Sequence, residues 1–553
     1  MVKKIFIGGL ALVCILIGIF IYNKETYVGE LVDPLTYFDE FENNTNNLVY
    51  EDKRVDLTEP VLIKDGQLFV RYDFANGYVN DIVFYDNAEK VMTLTNSREI
   101  IHLYEGPNEI TYAGVKGTYT LLTNENGLYI SANLLEDLFG VRFEEGREGK
   151  LYIATDLSKE QHVALIKKKA SLRTHPQDKS TVVEKLNKNS KVYIYDEEDG
   201  YLRVRSEDGI IGYIKSADIK DETTQAAISL PTTESWKENP LGEKVRLVWD
   251  QMTTKVEVNW SSQKYKNVQK ANVISPTWFE FGDAEGNLIN RATSSYVQAA
   301  HNRGLEVWPI LSHNFEDTGL TAKVLTSTAK RQYIIDQVIK YAKEYGFDGI
   351  NIDIENIQTD TSAVWVQFMR ELYPQLKNEG IKVSVDVYMP SSWSGHYERE
   401  KVVKCCDYFI VMGYDQHWSG SEEAGSVSEL PWVEQGINTS LEEIPANKLV
   451  LGIPFYTRRW IETSSGLNSK SYGMASAKQL VNEWGVQPVL DEASGQYYAE
   501  TTKADGVYKI WIEDYTSISK RIDLIEKYNL AGFGAWKLGL ETDDIWQALE
   551  RVK

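Results

Sequence analysis

In the stretch YGFDGINIDIEN, three polar side chains alternate with three isoleucines, a spacing that can do acid–base chemistry. Side chains on an extended strand point to opposite faces in turn. Ile350, Ile352 and Ile354 therefore share one face, and Asn351, Asp353 and Glu355 share the other, with about 6.6 Å between successive members. Two carboxyls and an amide in one row are groups that can give, take and hold protons. The plainer reading, that an acid at a strand end caps the next helix or meets a basic partner, accounts for Glu355 alone. It leaves an amide and a second carboxyl aligned on the same inner face, where a buried charge costs several kcal/mol unless pairing or function offsets it.

Such a strand needs neighbours on both sides. From Lys244 onward, apolar β-branched runs alternate with helical periodicity and lack the alternation of a half-exposed sheet, as buried parallel strands do. The runs are Val245 to Trp249, Val273 to Phe281, Leu305 to Leu311, Gly349 to Ile354, Ile381 to Tyr388, Tyr408 to Tyr414, Leu449 to Phe455 and Ala531 to Trp536. Between the third and fourth, STAKRQYIIDQVIKYAKEYG carries apolar residues at helical spacing and a glycine stop at Gly346. SAVWVQFMRELYPQLKNEG repeats the pattern after the fourth. The pattern predicts an α/β fold: a (β/α)8 TIM barrel over 244–553 with insertions, its chemistry at the C-terminal strand ends.

The segment from Asp348 to Glu355 resembles the D-G-x-D-x-D-x-E signature of family 18 glycoside hydrolases, the chitinase-like enzymes. Asn351 departs from it where most members carry Asp, a form common in the branch directed at spore cortex and wall. SPTWFEF, VMGYDQHW, LVLGIPFYTRRW and IWIEDYTSISKRIDLIEKYNLAGFGAWKLGLE extend the resemblance along strands two, six, seven and eight. It implies a mechanism in which the substrate's own 2-acetamido oxygen attacks the anomeric carbon, so that one carboxylic acid suffices. Glu355 would protonate the leaving oxygen and later deprotonate water, Asp353 would stabilise the acetamido nitrogen, and Tyr414 would bond the acetamido carbonyl. Asn351, assigned with them to substrate contact, can donate a hydrogen bond but cannot take charge, which bears on the pH optimum. Trp536 would form an apolar floor under the sugar, a core tryptophan being the alternative. Met412, Asp415, Tyr456, Arg458 and Trp278 match positions near the pocket. Glu513, Asp514 and Glu541 lie in a segment typical of the cortex-directed branch, as wall contacts or as structural ion pairs.

Upstream, Ile5 to Tyr22 is uncharged, mostly apolar and preceded by Lys3 and Lys4, with no small-residue cleavage site. It predicts a cytoplasmic tip and uncleaved transmembrane anchor over 1–26, with the rest of the chain outside the membrane and facing the wall. The acidic, Asn-rich residues 27–60 read as a linker. Residues 61–156 predict a small α+β domain with a helix at Ser131 to Phe139, and GLYISANLLEDLFGVRFE followed by GKLYIAT resembles the N-terminal domain of copper amine oxidases. No copper is implied, since His102 is the only histidine there. Residues 161–221, with about five short strands, predict a small barrel. ASLRTHP and KVYIYDEEDGYLRVRSEDGIIGYIKSADI resemble a bacterial SH3-type domain, a module that commonly binds wall polymer, although a spacer role is equally open. Residues 222–243 read as a second linker.

Lys and Arg number 59 against 81 Asp and Glu, a formal charge of −22 that would repel a phosphate backbone and argues against nucleic acid. The three cysteines, Cys14 and the adjacent Cys405 and Cys406, fit neither a disulfide framework nor a zinc site. No cofactor or metal is expected, and a monomer is. The resulting expectation is an anchored hydrolase of β-1,4-linked N-acetylglucosaminyl bonds in peptidoglycan, spore cortex or a chitin-like polymer. The alternatives are a carbohydrate-binding or spore-structural protein with little turnover, and a chitinase.

Overall fold

Runs of residues apolar on both faces close into a ring in the C-terminal part of the computed structural model, which describes residues 29–42, 45–233, 235–317 and 319–553. Its strands are β1 (Val245–Asp250), β2 (Val273–Pro276, resuming at Phe279–Phe281), β3 (Glu306–Val307, resuming at Ile310–Ser312), β4 (Gly349–Asp353), β5 (Lys382–Tyr388), β6 (Tyr408–Met412), β7 (Leu449–Pro454) and β8 (Gly532–Trp536). Each pairs in parallel with the next, and β8 pairs with β1, which leaves no edge. All eight sequence runs become these strands. The break in β3 falls at Trp308 and Pro309, and proline has no N–H to give to a ladder.

The alternation along β4 sorts as its residue types require. Ile350, Ile352 and Ile354 are buried in the shell between strands and helices. The barrel interior is filled low down by Leu247, Trp308, Ile310, Tyr408 and Val450, with Trp308 and Tyr408 stacked at 5.5 Å. The interior is thus packed, and only the upper ends of the strands are left to line a site. Ser327 caps the helix Thr328–Tyr345 by accepting from the Lys330 N–H at 3.2 Å, and Gly346 ends it in the left-handed region. Arg331 on that helix is fully buried and meets both oxygens of Glu371, on the helix Ser362–Asn378, at 2.7 and 2.9 Å. Between β7 and β8 the chain adds an antiparallel five-stranded sheet with the helix Met474–Trp484 against it.

The described residues divide into two compact units, and the barrel belongs to the one containing Thr233–Lys553 together with Asp86–Glu89 and Thr95–Ile100. The other unit is rich in strands. Within residues 61–156 it holds a five-stranded sheet and the helix Ala132–Phe139, stopped by Gly140 at φ 68°. A seven-stranded antiparallel sheet holds the strands of residues 161–221, two more than the five expected. The expectation of a linker over 27–60 is corrected: Asn47–Tyr50 pairs in parallel with Leu151–Asp156, and Leu48, Val49 and Tyr50 are buried. Its three apolar side chains outweigh the polar residues around them once a partner strand is present. Residues 222–243 begin inside a strand, Ile219–Gln225, that pairs with Gln161–Ile166. The expected membrane span lies outside the described residues, and among those no helix is long and apolar enough to cross a membrane.

Candidate active site

Side chains at the upper ends of the strands surround a cavity of about 930 Å³, with Trp249 from β1, Asp353 from β4 and Glu355 just after it, Asp386 and Tyr388 from β5, Tyr414 after β6 and Trp536 from β8 on its wall. These positions follow from strand alternation, which on β5 sends Ser384, Asp386 and Tyr388 inward as it sends Asn351 and Asp353 inward on β4.

Asn351 is fully buried and its amide is spent on protein partners. Its Oδ1 accepts from Trp249 Nε1 at 2.8 Å, and its Nδ2 donates to Asp386 Oδ1 at 2.8 Å and Ser384 Oγ at 2.9 Å. It does not line the cavity, so the sequence assignment of Asn351 to substrate contact is corrected to a support beneath the carboxyls. Gly534 on β8 makes this possible, since a Cβ there would lie 2.6 Å from the Trp249 ring.

Three carboxyls sit together above Asn351. Burial holds Asp353 well above the usual carboxylate range, and the negative groups Glu355 and Asp386 push it the same way. Asp353 Oδ1 is buried without a hydrogen-bond partner. Asp386 is also held far up by burial, with the Asn351 hydrogen bond acting in the opposite direction. Glu355 is raised by burial and by Asp415, while a hydrogen bond with Tyr388 lowers it. Its backbone is pinned, the N–H donating to His313 Nδ1 at 3.2 Å and the carbonyl accepting from the Tyr397 hydroxyl. A raised carboxyl at the wall of a cavity can hold a proton at neutral pH and deliver it to a bound oxygen.

Aromatic rings frame this cluster. Tyr414 packs edge-on against Trp249 at 6.5 Å, and Trp536 is tilted against the same ring at 6.0 Å. Met412 lies on the wall beside them. Asp415, in the left-handed region at φ 59°, also lines the cavity and accepts from the Tyr456 hydroxyl. Tyr456 and Arg458 stand behind that wall, and Arg458 donates to Ser469 Oγ at 3.0 Å. Two sequence assignments are corrected. Trp278 is fully buried with its indole N–H on Met252 Sδ at 3.2 Å, because the break in β2 turns it into the shell. Glu541 lines a separate cavity with Lys264 and Lys537, and its carboxylate accepts from its own turn, at Gly539 N, at 2.7 Å. Glu513 makes a buried two-pronged pair with Arg521 at 2.9 Å, and Asp514 caps the helix Tyr515–Lys527, so both are structural.

The sequence reading missed Asp386, Tyr388 and Trp249. The signal for the first two was present: in VSVDVYMP the alternation applied to β4 already puts Ser384, Asp386 and Tyr388 on one face. It also missed Phe315, Trp393 and Trp418, exposed aromatics at the rim of the cavity. Across from them, Arg291 Nη2 meets Glu280 Oε2 at 2.9 Å on the wall.

The comparisons agree with this geometry. The bacterial SH3 domain profile matches residues 168–220, and neither family match falls on 61–156, so the likeness to copper amine oxidases there is not supported. The chain is 27% identical over 295 residues to the uncharacterized glycosylase YvbX of Bacillus subtilis (strain 168), covering 51% of this chain and 84% of the relative. It is 26% identical over 231 residues to a cortical fragment-lytic enzyme of the same organism, covering 40% of this chain but only 53% of that relative. Among solved structures, the spore cortex-lytic enzyme SleL of Bacillus megaterium QM B1551 matches with a TM-score of 0.51 at 19% identity, over 60% of this chain and 79% of that one, a likeness of fold alone. The profile of glycosyl hydrolases family 18 matches residues 259–541, half of the chain, with strands β2 to β8 and the carboxyl cluster inside the match, and the chain belongs to that family of glycosidases.

Proposed function

We propose that this protein hydrolyses β-1,4 bonds at N-acetylglucosaminyl units of peptidoglycan or spore cortex by a substrate-assisted, retaining mechanism. The observation that carries the reading is the half-buried pair of Asp353 and Glu355 on one cavity wall, with Asp353 Oδ1 buried and unpartnered and the Tyr414 ring on the same wall. Glu355, protonated through burial, gives its proton to the leaving oxygen as the substrate's acetamido oxygen closes on the anomeric carbon. Asp353 accepts the acetamido N–H, whose acidity rises as the oxazolinium ion forms, and Tyr414 holds the acetamido carbonyl. Trp536 supplies the apolar floor. Glu355 then takes a proton from water, which opens the ring from the other side, so two inversions leave the β configuration.

The rim aromatics Phe315, Trp393 and Trp418 are 61%, 57% and 54% exposed, as stacking platforms for further sugar units would be, which favours a polymer over a single sugar. The naming of relatives as cortical fragment-lytic enzymes favours a wall polymer over chitin. An anchor at Ile5 to Tyr22 would hold the enzyme at the outer face of the cytoplasmic membrane, next to that polymer. Incubation with purified peptidoglycan, cortex and chitin, followed by mass spectrometry and NMR of the products, tests the reading. Muropeptide fragments with a β reducing end before mutarotation are expected. Release from chitin alone would replace the substrate, and an α product would remove the mechanism.

A further inference from the structure

One buried carboxyl on the cavity wall has no part in the steps above. Asp386 is 2% exposed and stands on β5 beside Asp353 on β4. The register Asn351↔Ser384 and Ile352↔Val385 continues to set these two inward positions level on neighbouring strands, with backbones about 5 Å apart. Two carboxylates so placed away from water cannot both be charged, and the low-energy state holds one proton between them. Asn351 decides where it rests: its amide donates to Asp386 Oδ1, which favours the ionised form of Asp386, while Asp353 Oδ1 has no donor to support a charge.

We propose that Asp386 is a positioning residue that shares a single proton with Asp353 across the β4–β5 pair. In the resting site the O–H bond is on Asp353. As positive charge develops on a bound acetamido group, that bond breaks and an O–H bond forms on Asp386, leaving Asp353 anionic to accept the N–H. The pair carries one negative charge throughout, and no other reactant is needed. The inference rests on the assignment of Asp353 and Glu355 given above. The groups that face the pair are Glu355 after β4, Tyr388 from β5, Tyr414 after β6, Tyr397 from the loop after β5, and His313, bonded to the backbone, after β3. None of these is a cation that would neutralise the pair.

The test compares the full chain with D386N and with the exchange N351D/D386N, which moves the carboxyl one strand over within the same hydrogen bond. An aryl glycoside of N,N′-diacetylchitobiose gives the pH–rate profile, and infrared difference spectra between E355Q and E355Q/D386N follow the carboxyl stretch of the pair without needing turnover. In D386N, kcat is expected to fall at least about tenfold with KM within about threefold. With Asp386 neutralised, Asp353 ionises and carries the pair's one negative charge next to Glu355, so Glu355 ionises at higher pH and the basic limb moves up. The protonated-carboxyl band at neutral pH is lost in E355Q/D386N as Asp353 ionises, and the exchange restores both limb and band. An unchanged limb and band in D386N overturn the proposal. If D386N does not fold, E355Q/D353N decides it, because a band unchanged from E355Q places no shared proton on the pair. Full activity in E355Q would instead overturn the underlying assignment, whatever D386N shows.

Discussion

Asp353 ends β4 and Glu355 follows it by two positions, yet burial and neighbours give them separate work. Glu355 has a hydroxyl donor in Tyr388, whereas Asp353 has none on Oδ1. Glu355→Gln keeps the volume and removes the proton, and general acid catalysis is typically worth 10²–10⁴-fold, so kcat should fall by that range while oligosaccharide binding, read by calorimetry, persists. Asp353 has a second consequence, for stability. Its pKa is raised in the fold above an unfolded value of about 3.9, so the native state binds the proton more tightly. That stabilising contribution is complete below about pH 4 and is lost as pH rises towards the folded pKa. Asp353→Asn should therefore gain on the parent protein in melting temperature between pH 4 and pH 7, at roughly 2–4 °C per kcal/mol, and show no such trend below pH 4. A difference that is flat with pH would mean the carboxyl is not strained by burial.

At the scale of elements, the site depends on small residues that let large ones approach. Gly534 on β8 lies against Trp249 of β1, and Trp249 fixes Asn351 on β4, so three strands share one contact chain beneath the carboxyls. Gly534→Ala forces the indole to move, since ring carbon is rigid and the Cβ would sit 2.6 Å from it. The expected cost is about 1–3 kcal/mol of stability with a larger loss in kcat than in KM, measured by denaturant melts and steady-state kinetics. The helices are set by a different device. Arg331 and Glu371 form a buried two-pronged pair between Thr328–Tyr345 and Ser362–Asn378, the helices that follow β3 and β4. Removing one partner alone would strand a buried charge, which fixes the pairing of these two helices more firmly than their apolar faces could.

At the scale of the molecule, the candidate site lies in the barrel unit and the SH3 domain in the other unit. A wall-binding module raises the local concentration of an enzyme without altering its chemistry. Residues 233–553 alone are expected to cleave soluble oligosaccharides at a kcat within about twofold of the full chain and to sediment more weakly with insoluble wall sacculi. Equal sedimentation would make the SH3 domain a spacer.

The repeat of apolar runs determined the barrel by itself, because strands buried on both faces need β-branched residues throughout and solvent-facing strands do not. It likewise determined the inner face of β4, since alternation is local: Ile350, Ile352 and Ile354 could only go one way together. The end of the helix at Gly346 was legible for a like reason, a chain stop being written in a residue that tolerates φ > 0. What the sequence could not decide was which side chains meet. Asn351 read as a substrate contact until Trp249 from β1 and Asp386 from β5 were seen to consume its amide. Trp278 read as a wall residue until the break in β2 turned it into the shell. Glu541 read as a wall contact or a structural ion pair, but its turn lines a different cavity and its carboxylate accepts from the Gly539 N–H. Residues 47–50 read as tether because their burial is conferred by Leu151–Asp156, about a hundred positions later, and no local period records a partner so distant. Local rules fix the face on which a residue lies; the identity of its neighbour depends on strand register and on barrel closure, which belong to the tertiary structure alone.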